Sequence, residues 1–159
     1  MVVNTGVGKL SGQPNFGDKM LPAIIADFAA ITGQKPSERP AKKSISSFKL
    51  RQGTIVGLKA TLRRQRMESF LSKVMKVVLP RVRDFQGINP KNIDRAGNLT
   101  FGIKDHLVFP EVSPEASKTN FGMEITLVPK TPKTQEEAFK LYKELGVPFA
   151  KEEVKKKHG

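Results

Sequence analysis

Apolar residues change their period from one segment of this 159-residue chain to the next, and no other feature restricts its possible folds as much. Leu21, Ile24, Ile25, Phe28 and Ala29 recur at the spacing of one helical face. So do Met67, Phe70, Leu71, Val74, Met75 and Val78, and again Ala138, Leu141, Tyr142 and Leu145. Val56, Leu58, Ala60 and Leu62 alternate with their neighbours instead, as do the residues from Met123 to Val128, which is the period of a half-buried strand. Hairpin-connected strands with separated amphipathic helices predict an α+β fold: a largely antiparallel sheet with helices packed on one face, leaving the other face or its rim for a partner.

Local signals place the remaining elements. Val2 to Gly8 opens as a strand that breaks at glycines, and Lys9 to Gly17 is a loop. A first helix from about Lys19 to Thr32 accepts Pro22 only in its first turn and stops at Gly33. Gln34 to Pro40 is polar with two prolines and predicts a connection, whereas Ala41 to Arg51 predicts a strand paired with Ile55 to Leu62 across a turn at Gln52-Gly53. The second helix, from about Arg66 to Leu79, is expected to end at Pro80. Arg81 to Asn98 reads as a long loop, Leu99 to Ile103 as a strand that Leu107 to Phe109 continues, and Glu111 to Asn120 as another loop. Thr134-Gln135-Glu136-Glu137 is a capping box that starts the last helix, with Gly146 as its stop. Residues 1–150 are expected to form one domain and 151–159 a charged basic tail.

Charge narrows the partner. Lys and Arg number 28 against 15 Asp and Glu, so the formal net charge is +13, and a polyanion is the natural partner. Cations gather at Arg39, Lys42 and Lys43, at Lys49 and Arg51, at Arg63, Arg64 and Arg66, and at Arg81 and Arg83. Arg63 to Arg66 oppose the dipole of the helix they begin, a cost that a polyanion would offset. No apolar run approaches the roughly 20 residues of a membrane span. Cysteine is absent, which excludes disulfides and thiolate metal sites and points to a reducing compartment. The only histidines are His106 and His158, so an acid/base pair is not expected; His106 reads as a loop or sheet-edge residue. Carboxylates are scattered without ligand-like spacing, so neither a metal nor a cofactor is expected. Gly6-Val7-Gly8 followed by Gly12 misses the dinucleotide fingerprint by one residue. With one Tyr and no Trp, base stacking would fall to the ten Phe, most of which read as core. From the residues alone the classes left are a structural RNA-binding protein, an RNA-processing enzyme on a similar sheet, and a binder of anionic surfaces.

A set of ordered segments separates these. Val2-Val3-Asn4-Thr5-Gly6-Val7-Gly8, Ile31-Thr32-Gly33-Gln34-Lys35-Pro36, Ala41-Lys42-Lys43-Ser44-Ile45, Phe48-Lys49-Leu50-Arg51-Gln52-Gly53 and Thr61-Leu62-Arg63 form the first part. Leu79-Pro80-Arg81-Val82-Arg83-Asp84-Phe85, Phe109-Pro110-Glu111 and Leu145-Gly146-Val147-Pro148-Phe149 complete it. On these residues the chain resembles the bacterial type of the large-subunit ribosomal protein family number five. The resemblance implies an RRM-like or ferredoxin-like two-layer sandwich and a structural, non-catalytic role: holding 5S ribosomal RNA in the central protuberance of the large subunit, in the cytoplasm, without a cofactor and away from membranes. It implies 5S RNA contacts at Asn4, Gln34 and Thr61, with the cations Lys35, Lys42, Lys43 and Arg63 beside them. Neutral amides and hydroxyls suit sugar hydroxyls and base edges in a wide, shallow RNA minor groove, and Lys and Arg supply phosphate attraction. By the same resemblance the hairpin tip, with Ser46, Ser47, Lys49, Arg51, Gln52 and Gly53, approaches P-site tRNA. The loop from about Asp105 to Gly122, with Glu111, Glu115 and Lys118, faces a small-subunit protein across an intersubunit bridge. 23S rRNA and neighbouring large-subunit proteins are the other implied partners. The chain departs from the family pattern in opening at the first strand, in a longer loop from Lys9 to Lys19, in Pro22, and in the basic tail.

Overall fold

The structure, a computed structural model, describes residues 1–117, 119–131 and 134–151. Strands β1 (Val2–Gly6), β2 (Ser37–Pro40), β3 (Ile55–Thr61), β4 (Leu99–Ile103) and β5 (Met123–Leu127) form one sheet in the order β2-β3-β1-β5-β4. Every neighbouring pair is antiparallel. The helices are α1 (Leu21–Thr32), α2 (Arg64–Lys73) and α3 (Gln135–Glu144). Alternation along the strands sends Val3, Leu58, Ala60, Phe101, Ile103, Met123, Ile125 and Leu127 to one face. There they bury against Ile24, Phe28 and Ile31 of α1, Phe70 of α2, and Ala138 and Tyr142 of α3. Each fully buried aliphatic or aromatic side chain contributes roughly 1.5–3 kcal/mol, so this two-sided apolar layer holds the sandwich together. The predicted α+β sandwich with helices on one face is therefore the observed one.

α3 starts as its sequence dictates. The Thr134 hydroxyl accepts the Glu137 N–H at 3.3 Å, and the Glu137 carboxylate accepts the Thr134 N–H at 3.4 Å. The Tyr142 hydroxyl, buried under the sheet end, donates to carbonyls of Gly97 and Leu127 at 2.6 and 3.1 Å.

Three expectations are corrected. The strand paired with β3 is Ser37–Pro40, not Ala41 to Arg51. As an edge strand it can carry Pro40, which has no N–H to give, and a register shift between Arg39 and Pro40 absorbs the irregularity. Pro80 does not end the second helix. The helix widens to a π turn at Val74–Val78, where the Leu79 N–H reaches the Val74 carbonyl, and continues through Leu79–Arg81. That wider turn takes up the proline ring and its missing donor. Leu107 to Phe109 adds no strand, because His106–Val108 is a 3-10 turn. Arg81 to Asn98 is a loop as expected, carrying a 3-10 turn at Pro90–Asn92, and it is pinned near the chain's end. Ile88 bridges Phe149 in parallel, and a Cβ on Gly87 (φ 110°) would lie 2.4 Å from the Ala150 nitrogen, so only glycine lets the two segments meet.

α2 begins under strain. Arg64, its first residue, has φ 55°, a left-handed conformation that costs a side-chain-bearing residue about 1–2 kcal/mol. Arg64→Gly is expected to raise the unfolding free energy by about 1 kcal/mol, because glycine removes that cost less its own backbone entropy. A higher urea midpoint at unchanged m would register it; an unchanged or lower midpoint would contradict it.

Candidate nucleic-acid interface

The face opposite the helices is built from outward-pointing strand residues that are short or polar. β1 lies at its centre. Asn4 pairs in register with Lys59 on one side and Glu124 on the other, with Ser37 beyond Lys59 and Gly102 beyond Glu124. Two residues along, Thr61, Val2, Thr126 and Thr100 form a parallel row, in which the Thr100 and Thr126 hydroxyls are 3.1 Å apart. On the far side of Asn4 come Arg39, Gly57 and Gly6. A Cβ on Gly6 would meet nothing within 4 Å, so packing does not demand this glycine; its effect is to keep the face low. Asn4, Gly6, Gly102, Gly122 and Glu124 border a shallow depression of about 400 Å³.

Gln34 sits at the rim of this face because α1 ends at Gly33, whose φ of 72° turns the chain toward β2. Its amide spans the gap. Nε2 donates to the Thr61 carbonyl at 3.2 Å, and Oε1 accepts from Arg66 Nη1 at 3.2 Å. Gln34 thus locks the end of β3 and the start of α2, and keeps one amide hydrogen and one lone pair of Oε1 for a partner. Lys35 and Arg63 are exposed beside it. Of the expected 5S contacts, the structure brings Asn4, Gln34 and Thr61 to one surface and sets Lys35 and Arg63 at its rim. Two residues of that surface escaped the reading of the sequence. Lys59 and Glu124 occupy the outward positions of clean strand alternations, a signal that was present but was read only for the core.

Lys42 and Lys43 belong to a different feature, the connection 41–54 between β2 and β3. It is a folded projection rather than a strand end. Ala41 N–H donates to the Thr54 carbonyl at 2.8 Å and Gly53 N–H to the Ala41 carbonyl at 2.9 Å, closing its base. Ile45 and Leu50 bridge its stem, and the Gln52 N–H donates to Ser44 Oγ at 2.9 Å. Ser46–Phe48 make a 3-10 turn, followed by Lys49 at φ 51°. Ser46, Ser47, Lys49, Arg51, Gln52 and Gly53 are all exposed. Phe48, expected among the apolar residues of a strand, is 78% exposed at the tip.

The later loop is anchored twice. His106, expected in a loop or at a sheet edge, has no exposed surface at all. Its ring stacks on Phe121 with centroids 3.9 Å apart. Nδ1 accepts the Phe121 N–H at 3.4 Å and lies 3.4 Å from the Asn120 side-chain oxygen. Nε2 lies 2.9 Å from Ser117 Oγ, which in turn donates to Asp27 of α1 at 2.9 Å. Further along, Glu111 accepts from Lys73 of α2 at 2.6 Å, and the same ammonium also donates to the Ile31 carbonyl. Glu111 is therefore committed to the fold, whereas Glu115 is exposed. Lys118 and nearly all of the basic tail lie outside the described residues. Among the described residues no group of three metal-ligating side chains gathers, and no helix is long and apolar enough to cross a membrane.

Comparison with known proteins shows the family of the chain. Residues 1–51 match the family model described as ribosomal protein L5, and residues 55–149 match the model of the same ribosomal family's C-terminus. The large ribosomal subunit protein uL5 of Halothermothrix orenii is 45% identical over 149 residues, which is 94% of this chain and 80% of that protein. Its counterpart in Pseudothermotoga lettingae is 50% identical over 149 residues, 94% of this chain and 79% of that protein. The one in a Synechococcus strain is 47% identical over 150 residues, 94% of this chain and 81% of that protein.

Proposed function

The chain belongs to the ribosomal protein L5 family, and from that premise we propose that the open face of its sheet binds 5S ribosomal RNA in the central protuberance. It is a structural constituent of the large ribosomal subunit, works in the cytoplasmic ribosome, and is not an enzyme. One observation carries the 5S reading: Asn4 and Thr61 share a polar face that no helix among the described residues covers, and Gln34 is fixed at its edge by bonds to Thr61 and Arg66. Such a face can lie in a wide, shallow RNA minor groove, while Lys59, Arg63, Lys35 and Arg66 neutralise the flanking phosphates.

The two contacts act differently. Asn4 offers its amide to the RNA, whereas Gln34 chiefly holds Thr61 and Arg66 in place. Asn4→Ala and Gln34→Ala are each expected to weaken binding of a 5S transcript by about 1–3 kcal/mol, the range for a lost partner at a desolvated contact. Filter binding at one fixed salt concentration measures this. If both variants bind like the parent, the open face is not the site.

The tip of the projection 41–54, with Ser46, Ser47, Lys49, Arg51, Gln52 and Gly53, is the proposed contact to P-site tRNA, while Lys42 and Lys43 at its base stay with the proposed 5S contacts; the support for the tRNA contact is an exposed cationic tip without a single acidic residue. The anchored loop is the proposed contact across the intersubunit bridge, made by Glu115 and Lys118 in place of Glu111, which Lys73 already holds. 23S rRNA and neighbouring large-subunit proteins complete the proposed partners. Residues 1–150 are proposed to act as one domain, because strands from both matched segments interleave in a single sheet.

A further inference from the structure

Glu124 stands in the middle of the face that is read as the RNA site. It is the register partner of Asn4 and of Gly102, and it is exposed. Among the described residues no cation lies within ion-pair distance of it, although Lys59 occupies the same cross-strand row. On a surface that only attracted phosphates this carboxylate would be a defect, in a chain whose net charge is otherwise +13. An ionised carboxylate accepts hydrogen bonds and donates none, so its partner on the RNA must be a donor.

The minor groove limits the choice. The amino groups of adenine and cytosine point into the major groove, which in RNA is too deep and narrow for side chains. The one base donor on the minor-groove side is the exocyclic amino group of guanine; the ribose 2′-hydroxyl is the only other donor there. Guanine also presents the acceptor N3 next to that amino group. Asn4, directly across the strands from Glu124, supplies the matching donor, and directly opposed side chains lie about 4.5–5.5 Å apart at Cβ. Asn4 and Glu124 line one shallow depression with Lys104, and Gly6 and Gly102 keep its floor low, so the donor and the acceptor can approach the groove together.

We propose that Glu124 is a specificity-determining residue that accepts a hydrogen bond from the exocyclic amino group of a guanine in the RNA minor groove, with Asn4 as its donor partner. The inference rests on the open face being the 5S RNA site.

Inosine interference on 5S transcripts tests it, since inosine removes that amino group and nothing else. With the parent chain, inosine at the contacted guanine is expected to weaken binding about tenfold, the size of one lost hydrogen bond to a charged group. Glu124→Ala is expected to weaken binding to the same extent, and inosine at that position should then cost nothing more. Glu124→Gln, which keeps an acceptor oxygen, should fall between the two. Both variants should melt with the parent, because the side chain is exposed. The inference is overturned if either variant binds as tightly as the parent or more tightly. It is equally overturned if the interference pattern is unchanged in Glu124→Ala, or if the coupled loss appears with 2′-deoxy substitution in place of inosine. A parent that does not bind the transcript would instead sink the reading of the face, and this inference with it.

Discussion

Replacing His106 by alanine is expected to lower the unfolding free energy by about 3 kcal/mol, the joint effect of a core void and of polar groups left without partners. The ring is fully buried, and it links three things at once. It stacks on Phe121, accepts the Phe121 N–H, and holds Ser117 against Asp27 of α1. The losses should fall unevenly. Residues 105–121 span a loop whose first half is also held by buried Phe109 and Val112 and by the part-buried Glu111–Lys73 ion pair, so its second half depends most on His106. Amide hydrogen exchange in that loop should therefore accelerate well before exchange in β1 or β3 does. A fall of less than about 1 kcal/mol in urea denaturation, or uniform acceleration across the sheet, would show that His106 is a filler and not an anchor. His106→Gln is the informative companion, since an amide can accept from Phe121 and donate toward Ser117, and it should recover part of the loss.

Reversing both Lys49 and Arg51 to glutamate is expected to weaken retention of P-site tRNA on assembled subunits by about a hundredfold at low salt, and to flatten the salt dependence. Binding of the isolated protein to a 5S transcript should change less than about threefold, because added repulsion beyond a Debye length of about 10 Å is largely screened. The projection that carries these cations closes on itself through Ala41, Thr54 and Gly53, so the substitutions leave the sheet's rows of side chains untouched. Equal losses in the two measurements would refute separate surfaces for the two RNAs.

Much of this arrangement was legible from residue pattern. The helical stripes, the alternation in β3 and β5, and the Thr134 capping box each rest on local physics, and each appears where expected. The failures share a cause. Ser37–Pro40 looks like a linker because its proline and charges suit an edge strand equally well, and only the neighbouring β3 decides between them. Pro80 is a reliable helix stop unless the turn before it widens, which no local signal announces. His106 is polar, and a polar residue beside a turn reads as exposed; its burial depends on Asp27, Ser117 and Phe121, contributed by α1 and by the far end of its own loop. Asn4, Gln34 and Thr61 stood out through the family resemblance, whereas Lys59 and Glu124 needed the sheet register to place them beside Asn4.

The position of β1 at the centre of the sheet has a consequence for how the protein is made. The strand that carries Asn4 is synthesised well before either of its neighbours, β3 and β5, the latter paired to it at Glu124 to Thr126. These are contacts of large sequence separation, and such pairings form slowly because chain closure must precede any gain. During synthesis β1 therefore waits with both edges open, a condition that invites mispairing. The open face is complete only once β5 has emerged, so on the proposed reading RNA binding has to wait for β5.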